Sequence, residues 1–115
     1  MKEYYLKISS HNSFPHSSGI ASSASSMSAL ALCLCQMERE VAYTLPAEEV
    51  FYQRASYFAR LASGSACRSI YPYAASWGKT DNIEGSSDEF DKPCADYLHD
   101  IFKTFHDEIM IIRHE

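Results

Sequence analysis

Residues 12–26 read Asn-Ser-Phe-Pro-His-Ser-Ser-Gly-Ile-Ala-Ser-Ser-Ala-Ser-Ser, and this stretch decides how the chain is interpreted. Turn-forming residues lead to Gly19, and the serine-rich run that follows suits the start of a helix. The first four N–H groups of a helix lack intrahelical acceptors and carry partial positive charge, so phosphate is a natural ligand there. Gly19 lets the backbone approach an anion closely, and the hydroxyls of Ser22 and Ser23 can donate to phosphate oxygens or help to hold a magnesium ion. A serine-rich helix cap without a ligand explains the same residues equally well from composition.

The sequence before and after this stretch predicts one strand and two helices. Apolar residues alternate over residues 4–9, which is typical of a half-buried strand. Apolar residues then recur every three or four positions from about Ala21 to Glu38, which predicts a helix. Thr44 and Pro46 suit the start of a second helix, which should end at Ser63 to Ser65.

The rest of the chain predicts further strand and loop structure. Residues 70–77 resemble a strand whose early part Pro72 confines to a sheet edge or a bulge. Residues 78–93 are polar and acidic and predict a surface loop. A short helix is predicted at 95–105, and residues 108–112 end the chain as a strand with a continuous apolar run.

Composition narrows the class of protein. The chain has 115 residues, of which 46% are hydrophobic, and its formal net charge is −5. That charge argues against a general nucleic-acid binder, and no apolar run approaches the roughly 20 residues that a membrane-spanning helix needs. The four cysteines form no CxxC pair and no zinc-binding spacing, so we expect reduced thiols in a cytoplasmic protein and no metal ligands.

A second chemical pattern lies about forty residues downstream, where residues 59–71 read Ala-Arg-Leu-Ala-Ser-Gly-Ser-Ala-Cys-Arg-Ser-Ile-Tyr. Ser63 and Ser65 flank a glycine, and Arg68 follows three residues later. Arginine suits bidentate contact with phosphate or carboxylate. From these residues alone, an arginine that forms a surface ion pair remains an alternative.

Together the two stretches resemble a known family. Residues 15–24 are similar to the phosphate loop of the GHMP kinase superfamily, and residues 12–24 are most similar to that loop in mevalonate diphosphate decarboxylases. Residues 64–69, Gly-Ser-Ala-Cys-Arg-Ser, resemble a signature of the same decarboxylases at a fitting distance. The resemblance covers most of the chain. It implies an α+β fold, part of the GHMP kinase N-terminal domain (ribosomal protein S5 domain 2-like), with helices packed on a small mixed sheet, and residues 1–115 as a single partial domain.

The resemblance also implies roles for individual residues. By matching position, Ser63 and Ser65 correspond to serines that contact the substrate's diphosphate or lie beside it. Arg68 corresponds to the arginine that holds the mevalonate carboxylate and assists its departure as carbon dioxide.

In the first stretch, Ser23 corresponds to a serine of the ATP phosphate loop, and Gly19, Ala21 and Ser22 supply the neighbouring backbone. The chain departs from the family where Tyr-Pro-Tyr at 71–73 replaces the common Tyr-Gly-Gly, and where Ser17 and Ser18 stand in place of common alanines.

The implied activity is the ATP- and Mg²⁺-dependent phosphorylation and decarboxylation of mevalonate 5-diphosphate to isopentenyl diphosphate, in a cytoplasmic enzyme that is a homodimer at full length. The family's lysine motif and its essential aspartate have no counterpart in this sequence, so we expect the fragment alone to be inactive. Two alternatives remain: another GHMP small-molecule kinase such as phosphomevalonate kinase, and a non-catalytic helical interaction module.

Overall fold

The computed structural model describes residues 3, 5–15, 19–42, 46–110 and 112. In chain order, its elements are helix α1 (Ser22–Val41), helix α2 (Glu48–Ala62), 3₁₀ helix η1 (Gly64–Ile70), strand β1 (Ala75–Ser76), strand β2 (Lys92–Pro93), and 3₁₀ helices η2 (Ala95–Tyr97) and η3 (Asp100–Thr104). The described chain is therefore α+β, with most of its regular structure helical. None of the helices in these ranges is long and apolar enough to cross a membrane.

Small side chains form the interface among α1, α2 and η1. Ala55 and Ala59 of α2 and Ala66 of η1 are fully buried, and Ala24 and Ala31 of α1 join the same cluster. Alanine at these positions lets the helix backbones approach closely while still removing apolar surface from water. The larger members of the cluster fill its sides, namely Cys35, Phe51 and Ile70.

The sheet is a short antiparallel ladder in which Ala75 pairs with Pro93 and Ser76 with Lys92. Antiparallel pairing brings the two ends of the intervening segment together. The ladder thus closes residues 77–91 into a loop, and backbone and side-chain hydrogen bonds within the loop hold its shape, among them Gly78 N–H to the Ser87 carbonyl at 3.0 Å.

A buried serine of α2 ties this loop to η1. The Ser56 hydroxyl donates to the Cys67 carbonyl at 3.2 Å and accepts from the Asp91 backbone N–H at 2.8 Å. Ser56 is fully buried, so both backbone groups would lack a partner without it. One hydroxyl therefore connects three segments that are remote in sequence.

The side chain of Asp91 is fully buried next to this bridge. Neither carboxyl oxygen has a hydrogen-bond partner among the described residues. Burial raises the pKa of Asp91 above its ordinary value, while the nearby Cys67 thiol and the Arg68 guanidinium act in the opposite direction. The net direction is upward, so the folded chain holds this proton more tightly than an exposed aspartate would.

The predictions of the two long helices are confirmed, and the acidic stretch is a loop up to β2. The strand predictions are largely wrong. Within residues 5–9 and 108–110 and at Ile112 no strand forms, and Tyr4 and Ile111 lie outside the described residues, as does Thr44. A strand needs a neighbour for its backbone groups, and the described residues supply none to these segments.

Three smaller differences concern the centre and end of the chain. Only Ala75–Ser76 of the predicted strand 70–77 is paired, because η1 extends to Ile70 and Tyr73 adopts a positive φ of 65°. The predicted helix 95–105 is two separate 3₁₀ turns. The sheet is antiparallel where a mixed sheet was expected, and α1 and α2 pack chiefly against each other and η1.

Overfilling the alanine interface should destabilise the chain. We expect Ala55→Leu to lower the free energy of unfolding by about 1–3 kcal/mol, because the extra carbons must displace neighbouring helices. Urea unfolding followed by far-UV circular dichroism measures the change. Ala29→Leu, on the exposed side of α1, is the matched control and should shift stability by less than about 0.5 kcal/mol. Equal effects of the two substitutions would contradict this packing.

The buried carboxyl predicts a specific pH dependence. Because the folded-state pKa of Asp91 is raised, the folded chain binds this proton more tightly than the unfolded chain. Its contribution to stability is therefore complete below the ordinary aspartate pKa of about 4 and is lost as the pH rises through the folded-state value. Asp91→Asn should remove this pH-dependent loss of stability. The free energy of unfolding of the variant, relative to that of wild type, should therefore increase as the pH rises.

Urea unfolding at a series of pH values from about 4 to 8 tests this expectation. Exposed Asp81 provides the control, since Asp81→Asn should keep the wild-type dependence. A pH-independent difference between Asp91→Asn and wild type would show that burial does not perturb this carboxyl.

Candidate functional site

The turn before α1 contains two residues with left-handed backbone. Gly19 has φ of 78°, and Ala21, the residue that precedes the first turn of α1, has φ of 56° and ψ of 48°. Glycine adopts this conformation readily, whereas an alanine there costs on the order of 1 kcal/mol. Such strain recurs at ligand-binding turns, and here it coincides with the stretch that the sequence singles out for anion binding.

The start of α1 is open to a ligand. No side chain caps it, and the hydroxyls of Ser22 and Ser23 form no hydrogen bond with a described residue. The next two serines instead bond within the helix, Ser25 to the Ser22 carbonyl at 3.1 Å and Ser26 to the Ser23 carbonyl at 3.2 Å. The first turn of α1 thus presents free N–H groups and two free hydroxyls.

A polar cleft of about 360 Å³ opens beside these hydroxyls, and its lining consists of Ser10, His11, Asn12, Ser22, Ser23 and Ser26. Its volume falls within the range of small-ligand sites. Sequence reasoning assigned Ser22 and Ser23 but missed Ser10, His11 and Ser26, whose place in the cleft depends on how residues 5–12 run beside α1. Gly19 and Ala21 shape the turn and do not line the cleft.

The second predicted stretch folds as η1, and its 3₁₀ geometry sorts its side chains. Residues three apart lie on the same side of a 3₁₀ helix. Cys67 and Ile70 therefore share a side, and both are buried, whereas Ser65 and Arg68 share another side, which is accessible. The hydroxyls of Ser63 and Ser65 form no hydrogen bond with a described residue, so this side of η1 combines a free hydroxyl with a guanidinium.

Arg68 is exposed and forms no salt bridge with any residue in the described ranges. The surface ion pair that the sequence left open as an alternative is therefore not formed with a described residue. The positive charge of Arg68 acts to lower the pKa of the buried Asp91 carboxyl, against the larger raising effect of burial. An exposed arginine without a bonded partner is suited to binding an anion from solution.

The cysteine within the motif is not a nucleophile. Burial, followed by the neighbouring Asp91 carboxyl, raises the pKa of Cys67 to about 12. Its thiol donates to the Gly64 carbonyl at 3.1 Å and so helps to close the first turn of η1. The described part of the chain also contains no cluster of three His, Cys, Asp or Glu side chains that could hold a metal ion.

The two stretches belong to one packed unit. Ala24 in the first turns of α1 and Ala66 in η1 are members of the same buried cluster, and α1 packs directly against η1. The assigned side chains at both places project outward from this shared core. That the free amides before α1 and the guanidinium of Arg68 converge on one ligand stays a prediction.

Comparisons with known proteins agree with the residue patterns. The family model described as the diphosphomevalonate decarboxylase-like N-terminal domain matches residues 1–89. The diphosphomevalonate decarboxylase of Eremothecium gossypii is 38% identical over 86 residues, which are 75% of this chain and 20% of that protein. The corresponding proteins of Ganoderma lucidum and Gibberella zeae are 37% and 35% identical, over 75% and 79% of this chain and 20% and 22% of theirs.

The chain thus spans about a fifth of the length of the curated relatives that it matches. No solved structure matches it. The family match covers both chemical stretches and extends through the loop to Glu89. On this evidence the chain belongs to the family of diphosphomevalonate decarboxylase-like N-terminal domains.

Proposed function

We propose that this chain is the part of a diphosphomevalonate decarboxylase that binds the phosphates of ATP at the start of α1 and holds mevalonate 5-diphosphate on the accessible side of η1. The observation that carries the proposal is the exposed guanidinium of Arg68, which forms no salt bridge with a described residue and shares its side of η1 with Ser65 in a chain of this family. The fold to which these elements belong is, in this proposal, the GHMP kinase N-terminal domain of the ribosomal protein S5 domain 2-like type, of which residues 1–115 are a part.

The first half of the site serves ATP. The free N–H groups at the start of α1, with the hydroxyls of Ser22 and Ser23, donate to phosphate oxygens, and the left-handed turn at Gly19 and Ala21 aims these donors at the cleft. Magnesium, bound to ATP, neutralises phosphate charge during phosphoryl transfer. Mg²⁺ prefers oxygen ligands, so the serine hydroxyls that line the cleft are suited to the magnesium ion that accompanies ATP.

The second half serves the substrate. The hydroxyls of Ser63 and Ser65 donate to the diphosphate, and Arg68 holds the carboxylate at the other end of the molecule. In the reaction, the γ-phosphoryl group of ATP moves to the 3-hydroxyl oxygen, which yields ADP, and the hydroxyl proton passes to a general base. The C–O bond to that phosphate then breaks while the bond to the carboxylate carbon supplies the electron pair of the new double bond, releasing phosphate and carbon dioxide.

Arg68 contributes to this reaction by position. Holding the carboxylate fixes the carbon–carbon bond in line with the developing cationic centre, so that less reorganisation is needed at the transition state. The same proposal includes a cytoplasmic enzyme that acts as a homodimer at full length, with residues outside this chain completing the catalytic set.

The role of Arg68 can be tested in a chimera. In the Eremothecium gossypii decarboxylase, the 86 matched residues are replaced by those of this chain, and carbon dioxide release from mevalonate 5-diphosphate is measured with ATP and Mg²⁺. We expect Arg68→Ala to slow release by on the order of 100-fold or more, since a charge-stabilising donor is removed. Arg54→Ala is the control, because Arg54 is exposed and pairs with Glu38 at the surface. An active chimera whose turnover is unaffected by Arg68→Ala would overturn the assignment.

Phosphate binding at α1 can be tested on the chain itself by titration with ATP and excess Mg²⁺, followed by amide NMR shifts. We expect the largest shifts at Gly19, Ala21, Ser22 and Ser23. Ser22→Asp should weaken binding by about tenfold or more, because it places a like charge beside the phosphates. Thr104→Asp, an exposed position in η3, adds the same charge and should leave the affinity unchanged. Shifts confined to other regions would contradict a phosphate loop at this helix start.

A further inference from the structure

The far edge of the Trp77 indole lies beside Gly64. A methyl group placed on Gly64 would be 3.4 Å from Cη2 of the ring and 3.8 Å from Cζ3, which is van der Waals contact. Gly64 stands between Ser63 and Ser65 and is the first residue of η1. The edge of the ring therefore lies beside the turn from which both serines project, and Gly64 itself stays exposed.

The indole is also held from its other end. Its Nε1–H donates to the Asp88 carbonyl at 2.9 Å, and the Asp88 carboxylate accepts from the Lys79 backbone N–H at 2.9 Å. The ring is thus fixed in the loop that the β1–β2 ladder closes. A ring anchored in this way transmits the position of the loop to the turn at Gly64.

The contact is made at the exposed first residue of η1 and is not part of the buried core. Trp77 retains 43% of its exposure, and it is absent from the cluster that α1, α2 and η1 form. From inside, Ser56 holds η1 at the Cys67 carbonyl. The edge of the Trp77 ring lies beside Gly64, the first residue of η1. The two contacts restrain η1 at positions on either side of Ser65.

We propose that Trp77 is a positioning residue: it holds the Ser63–Ser65 turn so that Ser65 and Arg68 present a preformed anion-binding side. The identity of the anion as the substrate rests on the function proposed above, whereas the restraint of η1 by the indole does not. Preformed donors bind an anion more tightly than mobile ones because less ordering is needed on binding.

Amide hydrogen exchange of the 115-residue chain tests the restraint directly. The Ala66 N–H bonds to the Ser63 carbonyl at 2.8 Å and reports on the first turn of η1. Trp77→Ala should accelerate its exchange roughly tenfold while the amides in the middle of α1 stay as protected as in wild type. Trp77→Phe, whose shorter ring lacks the Cη2–Cζ3 edge and the Nε1–H donor, should restore only part of the protection. Phe105→Ala, which removes an exposed aromatic elsewhere, should have no effect.

Two outcomes would overturn the proposal. One is unchanged exchange at Ala66 in Trp77→Ala, and the other is an equal acceleration throughout α1, α2 and η1, which would mean that the ring only adds global stability.

Binding of inorganic diphosphate, measured by calorimetry, then separates this inference from the proposed function. Trp77→Ala should weaken binding by about tenfold and also accelerate exchange, whereas Ser65→Ala, which removes a hydroxyl assigned to the diphosphate, should weaken binding with exchange in η1 unchanged. Since Trp77 is the single tryptophan of the chain, its emission should also respond to diphosphate in the wild type. A wild-type chain that binds no diphosphate contradicts the proposed function, while the exchange result still decides the role of Trp77. Tight binding by Trp77→Ala overturns the positioning role even if exchange is accelerated.

Discussion

The hydroxyl of Ser56 is the contact on which the rest of the site depends. It satisfies the Cys67 carbonyl and the Asp91 amide at once, in the interior, where neither could turn to water. A buried backbone group without a partner costs about 1–3 kcal/mol, so the loss of this hydroxyl would leave two such groups behind. The bridge fixes η1 and the start of β2 relative to α2, which is the condition for any defined geometry at Arg68.

The small side chains around this bridge determine which groups remain outside. Because Ala55, Ala59 and Ala66 allow close packing, η1 packs against α2 and α1 with Ala66, Cys67 and Ile70 buried. The 3₁₀ period then leaves Ser65 and Arg68 together on an accessible side. The buried apolar residues of η1 and its neighbours therefore determine which polar side chains of this stretch are accessible.

Local signals were sufficient for the parts of the chain that depend on near neighbours. The helical period and Pro46 predicted both long helices, and Gly19 with Ser22 and Ser23 predicted a helix start suited to an anion. The strands could not be predicted in this way, since a strand forms only when another segment supplies its hydrogen bonds. Pro72 and the left-handed Tyr73 further shortened the central one to Ala75–Ser76.

The same distinction applies within the site. Arg68 and its serines could be assigned from a short motif, whereas Ser56 and Trp77 gave no such signal. Ser56 resembles any polar residue on a helix, and its partner lies 35 positions away. Trp77 is thirteen residues from Gly64, and only the folded loop brings the edge of its ring beside that glycine. These contacts join distant segments and carry no local periodicity.

The two restraints on η1 also differ in what they demand of the sequence. The bond to Ser56 uses the backbone amide of residue 91, which any residue but proline provides, so the identity of that residue is free as far as the bond is concerned. The contact at Gly64 depends instead on side-chain size. The edge of the indole reaches the glycine from position 77, and a methyl group at position 64 would already be in van der Waals contact with the ring. A side chain larger than a methyl group at position 64 would therefore have to displace the ring, whereas the bond at residue 91 sets no such limit.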